Sequence, residues 1–182
     1  MYKVAVEIEG ISPILFNRFQ NPEKLGESKT GGKKSLKDEI KEAPQKCHYD
    51  HGVICCPALN IKSSMIGAAG LSSLKYGKKG ITPFMRAWLF VEPIMIPFGK
   101  KQPDFIDSRI ATNRNMGKGT AILVHRPGLN AGWKLNFNIM VMDDRLPQDH
   151  VLTALKEAGT ITGIGSFRPE FGRFKLNSFE IA

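Results

Sequence analysis

Ala158-Gly159-Thr160-Ile161-Thr162-Gly163-Ile164-Gly165-Ser166-Phe167-Arg168-Pro169-Glu170-Phe171-Gly172-Arg173-Phe174 is the stretch whose reading decides the fold. It gathers four glycines, three phenylalanines and two arginines into one short run. Glycine lets a backbone turn sharply or approach another segment closely. Arginine and aromatic side chains beside such a turn hold phosphates and stack on bases. The segment before it, Pro147–Ala158, predicts a helix: Pro147 suits a first turn, Asp149 favours the dipole there, Val151, Leu152 and Leu155 share one face, and Gly159 marks the end. The segment after it, Phe174–Ile181, reads as the last strand. A glycine loop lying between a helix and a following strand is not a dinucleotide loop, which precedes a helix. Gly163-Ile164-Gly165 also lacks the third glycine and any Walker lysine.

Working outward, Trp133–Val141 alternates cleanly and predicts a strand, as do Val4, Val6 and Ile8 near the start. Pro13 biases Ile11–Phe19 to extended backbone. Val53–Cys56 reads as a strand, followed by a proline turn and a helix over 57–70 with Leu59, Met65, Ile66 and Ala69 on a face. Phe84–Phe98 is strongly apolar, and Pro93 and Pro97 predict extended structure there. Residues 20–46 are rich in Lys, Gly, Ser and Glu, which predicts a mobile basic insertion with a short helix at Ser35–Glu42. Residues 99–130 predict a long hairpin or protruding arm with a polar tip. The order is that of an α+β domain, a βαββαβ antiparallel sheet of ferredoxin-like or RRM-like type spanning 1–182.

The 182 residues carry 26 Lys+Arg against 17 Asp+Glu, a net charge of +9. That balance points to a polyanion, nucleic acid first and an acidic membrane surface second, with an inert basic surface as the plain alternative. Three cysteines make no disulfide framework and imply a reducing cytoplasm. Cys47, His48, His51, Cys55 and Cys56 are the one metal-like grouping, but their spacing matches no zinc finger, so no cofactor is expected. No signal peptide or membrane span is read.

Cys56-Pro57-Ala58-Leu59-Asn60-Ile61-Lys62-Ser63-Ser64 resembles the strand–turn–helix start of the RAMP superfamily, the RRM-like subunits of CRISPR effector complexes. It departs from that pattern at Ser63-Ser64, where glycine is usual. Gly163–Phe174 resembles the superfamily's glycine-rich loop, and 99–130 falls where the backbone subunit (Cas family seven) carries a thumb-like arm. By element order the resemblance covers most of the chain, and small solitary phage and prophage relatives are the nearest in size.

The resemblance implies a subunit that polymerises head-to-tail along single-stranded RNA or DNA, alone or with other effector subunits. Arg18, Lys62, Arg86, Arg109, Arg114, Lys118, Arg126, Arg168 and Arg173 would meet phosphates, with Gly163 and Gly165 allowing close approach. Phe167 or Phe171 would stack on a base, and Met116 would wedge between bases. Two other readings stand beside this one. Some family members cut RNA with a loop aspartate, and Asp50, Asp104, Asp107, Asp143 and Asp144 are the acids available here, none in a recognisable catalytic spacing. The arm and loop would otherwise bind protein, as in a phage inhibitor that mimics an effector subunit.

Overall fold

The computed structural model describes residues 1–18, 36–72, 74–113 and 120–181, the side chains of 36, 111–113 and 120–122 excepted. Most of the basic insertion at 20–46 and three arm residues, Arg114, Met116 and Lys118, therefore lie outside the described residues. In chain order the elements are β1 (Tyr2–Gly10), β2 (Ile14–Leu15), α1 (Leu36–Glu42), a 3-10 turn (Ala43–Lys46), β3 (His48–Asp50), β4 (Val53–Pro57) and α2 (Ala58–Leu71). Then come β5 (Lys75–Tyr76), β6 (Lys79–Gly80), α3 (Thr82–Trp88), β7 (Leu89–Glu92), β8 (Met95–Pro97), β9 (Phe105–Asn113) and β10 (Thr120–Leu129). β11 (Lys134–Val141), α4 (Gln148–Glu157), a π turn (Ala158–Thr162) and β12 (Phe174–Ile181) complete it.

The fold is α+β, with antiparallel sheets. The main sheet runs β12-β1-β11-β7, and every neighbouring pair is antiparallel. Its register sets Val4 opposite Ile139, Val6 opposite Phe137 and Ile8 opposite Leu135. The period of two therefore places one apolar face against the helices. Ile61, Met65 and Ala68 of α2 and Val151, Ala154 and Leu155 of α4 join that face in one core. The opposite face over β1, β11 and β12 is polar: the Asn177 amide donates to both Glu7 and Glu9, with Lys134 and Lys175 alongside. This face offers carboxylates rather than stacking aromatics, so the site must be sought elsewhere.

Two smaller sheets frame that place. β2 pairs with β10, and β10 pairs with β9 in a long hairpin from Asn113↔Thr120 to Phe105↔Gly128. β3, β4 and β8 form the other. Cys47, Cys55 and Cys56 are buried there as small apolar residues, and burial pushes the Cys47 and Cys56 thiols up to about 12. Among the described residues no group of three or more His, Cys, Asp or Glu could hold a metal ion. No described helix is long and apolar enough to cross a membrane.

The structure corrects two local expectations. Residues 84–88, the start of the segment expected to be extended, belong to α3 (Thr82–Trp88), because Pro83 sits in the first turn, where its missing N–H costs nothing. Helical spacing then buries Met85 and brings Phe84 within 5.1 Å of Trp88, ring to ring. Gly159 does not end the helix expected over Pro147–Ala158. The backbone continues into the π turn, and Gly159 serves instead as the point of contact with β12, where a Cβ would lie 2.1 Å from the Phe174 carbonyl oxygen. Gly163, at φ +67°, makes the exit.

Candidate nucleic-acid interface

The glycine-rich loop is stapled at both ends. Gly163 donates its N–H to the Ala158 carbonyl at 2.7 Å, and its own carbonyl accepts the buried Ser64 hydroxyl at 2.7 Å. Ser166 donates to the Leu15 carbonyl at 2.8 Å, Gly172 to that of Pro13 at 2.8 Å, and Ile164 to that of Gly172 at 2.9 Å. The Arg173 amide donates to the Ser12 hydroxyl. This close seating is what the glycines permit. A Cβ on Gly165, at φ +84°, would lie 2.6 Å from the Leu15 oxygen, and one on Gly172 only 1.7 Å from that of Ile164. The loop also holds Phe167 at φ +58°, a value uncommon for a side-chain-bearing residue, and presents its ring to the outside at 38% exposure.

Gly165 and Ser166 form a saddle between two hollows. The larger, about 570 Å³, lies between Gly67 and Leu71 of α2, Ile161 and Thr162, and the rim Phe167-Arg168-Pro169. The smaller, about 230 Å³, is lined by Leu15, Phe16, Asn17, His48 and Asn60. α2 serves both, because Asn60, Ser64, Gly67 and Leu71 follow one another at i, i+4, i+7 and i+11 and so share a face. Burial first, and then the charge of Arg18, pull the His48 pKa below its ordinary value, which keeps the imidazole neutral at neutral pH.

The β9–β10 hairpin closes on the loop through cation–π contacts. The Arg126 guanidinium sits 4.4 Å from the Phe167 ring centre, and that of Arg109 sits 4.6 Å from Phe171 and 5.7 Å from Phe167. Asp107, opposite Arg126 in the register, binds Arg109 at 2.8 Å. Arg126 is only 8% exposed, and its Nε and Nη1 have no hydrogen-bond partner among the described residues. Burial pushes its pKa down, the charge of Asp107 opposes this, and that of Arg109 adds to it.

Of the residues expected from sequence, Gly163, Gly165, Phe167, Arg168, Phe171, Arg173, Arg109 and Arg126 thus come together, and Arg18 stands beside the smaller hollow. Arg168 is exposed on the rim, whereas the half-buried Arg173 side chain is tied to the loop itself, Nε donating to the Pro169 carbonyl at 2.9 Å. Lys62 and Arg86 are not brought to the saddle. Two residues on from Asn60, Lys62 faces away from it. Its Nζ donates to the Arg86 carbonyl at 2.9 Å and lies 4.7 Å from the Phe90 ring centre. The acids considered as catalytic have ionic neighbours: Asp104 binds Lys100, Asp107 Arg109, Asp143 Arg145, Asp144 the N-terminal amine, and Asp50 lies 3.7 Å from His51. Sequence reasoning missed Ser64, Asn60, Asn17, His48 and Ser166. The small and polar stripe on α2 was the signal for Asn60 and Ser64. Asn17, His48 and Ser166 come from three separate elements, and although His48 stood in the metal-like grouping and Ser166 in the glycine-rich stretch, nothing in the sequence joined the three.

No family model and no curated protein matches the sequence. Among solved structures, a chain from the cryo-EM structure of the Type III-B Cmr-beta bound to cognate target RNA aligns with TM-score 0.57 and 14% identity. The alignment covers 99% of this chain and 60% of that one, so the present chain spans less than two thirds of its neighbour's length. Cmr6 from Pyrococcus furiosus aligns with TM-score 0.48 and 11% identity, over 97% of this chain and 98% of that one. In fold the chain is thus similar to a chain of the Type III-B Cmr-beta structure.

Proposed function

We propose that this chain is an RNA-binding, CRISPR-effector-like subunit that holds a single strand across the Gly165–Ser166 saddle and carries out no chemistry of its own. The observation that carries the reading is the saddle itself. It is a rigid stretch of backbone between two hollows, with the exposed Phe167 ring and the exposed Arg168 on its rim. Backbone close to the surface admits a phosphate, arginine neutralises it, and an aromatic ring offers a base a stacking partner. The net charge of +9 draws a polyanion to the whole surface. The fold neighbour seen with target RNA supports RNA over DNA.

The sheet order β12-β1-β11-β7, with α2 between its first two strands in sequence and α4 between its last two, supports the ferredoxin-like βαββαβ reading. In the same reading the β9–β10 hairpin is an arm toward the next subunit, and copies join head-to-tail into a ribonucleoprotein filament in the cytoplasm. Fluorescence anisotropy with labelled single-stranded RNA at low salt tests the binding. The wild-type chain should bind, and Arg168→Ala should bind more weakly with folding unchanged. An absence of salt-sensitive binding would sink the proposal and favour a protein-binding role.

A further inference from the structure

We infer that the smaller hollow is a base-reading pocket that takes one unpaired adenine from the strand lying over the saddle. The inference rests on the RNA reading above and deepens it, from tolerance of any sequence to a preference at one position. Four polar side chains converge on this hollow from four separate elements: Asn17 after β2, His48 on β3, Asn60 in the first turn of α2, and Ser166 in the loop. Leu15 and Phe16, both buried, lie beneath it, and most of the surface it presents is polar. Polar groups converging from separate elements on one hollow can fix the orientation of a ligand, and a volume of about 230 Å³, below the usual range for drug-sized ligands, suits a single planar base.

The polar groups select among the bases. A carboxamide presents a donor and an acceptor side by side, the complement of the adenine N6 amine and N7. Asn17 and Asn60 both line the pocket, and the Asn60 amide also reaches the Cys56 thiol. Among the described residues the lining holds no carboxylate to accept from the cytosine amine and no lysine or arginine to engage guanine O6 and N7, Arg18 standing beside the hollow rather than in its lining. The neutral His48 ring adds one donor and one acceptor. Because Gly165 and Ser166 line both hollows, a strand whose phosphate meets Arg168 on one side has a base within reach of the pocket on the other.

Anisotropy at low salt with uridine-only RNA and with matched strands carrying adenine, cytosine or guanine at spaced positions tests the pocket. The adenine strand should bind at least about fivefold tighter than the uridine strand. Asn17→Ala and Asn60→Ala should each bring that ratio toward one while leaving uridine-strand binding in place. Asn17 is exposed, so its replacement does not threaten the fold. Equal affinity for all strands, a preference for another base, or an unchanged ratio in both variants overturns the pocket and leaves the saddle standing. No binding by any strand overturns the RNA reading, and the pocket with it.

Discussion

A Cβ on Gly172 would lie 1.7 Å from the Ile164 carbonyl oxygen, in a backbone at φ +78°. Neither the clash nor the dihedral can relax without moving the loop. Gly172→Ala should therefore destabilise the fold by roughly 2–4 kcal/mol, read as a lower urea midpoint. Gly77, at φ +60° with nothing within 4 Å, is the control: its alanine variant meets only the backbone term, about 1 kcal/mol. His48 offers a second test. Its folded pKa lies below the ordinary 6.5, through burial and then the charge of Arg18. The folded state therefore binds fewer protons than the unfolded one between the two values. The group's effect on stability is complete above pH 6.5, and stability falls as pH drops from 6.5 toward the folded pKa. An NMR titration should place the midpoint below 6.5, and Arg18→Ala should raise it while leaving it depressed, because burial remains.

The loop depends on the elements beneath it. Ser64 on α2 donates its buried hydroxyl to the Gly163 carbonyl, so Ser64→Ala leaves an acceptor unpaired at the loop entrance. The expected cost is about 1–3 kcal/mol by urea unfolding, with weaker RNA binding as the loop loosens. The hairpin is joined to the loop through Arg126 and Arg109 on Phe167 and Phe171. Phe167→Ala should thus lower RNA affinity through lost stacking, by about 1–3 kcal/mol. The elements themselves were largely legible. β11 alternates over its whole length, α4 carries an apolar stripe behind Pro147, and α2 follows a proline turn. α3 was not legible, because Pro93 and Pro97 made the whole apolar run read as extended, whereas Pro83 just before it opens a helix's first turn.

For the whole molecule, the charge of +9 makes salt the broadest probe. The logarithm of RNA affinity should fall with the logarithm of salt by about 0.7 per phosphate neutralised, and Arg168→Ala should flatten that slope by about 0.7. Arg86→Ala, away from the saddle, should change neither slope nor affinity to that degree. The sequence by itself determined the α+β class, the strand and helix that bracket the glycine-rich loop, and the basic character that calls for a polyanion. Periodicity, glycine and net charge are local or additive properties, so they survive without coordinates. The tertiary structure alone decided that Lys62 faces away while Asn60 and Ser64 face the loop. It likewise brought Asn17, His48 and Ser166 to one hollow, and set the arginines of the hairpin on the phenylalanines of the loop. These are meetings of residues far apart in the chain, and they follow from sheet register and from the packing of α2 against the loop.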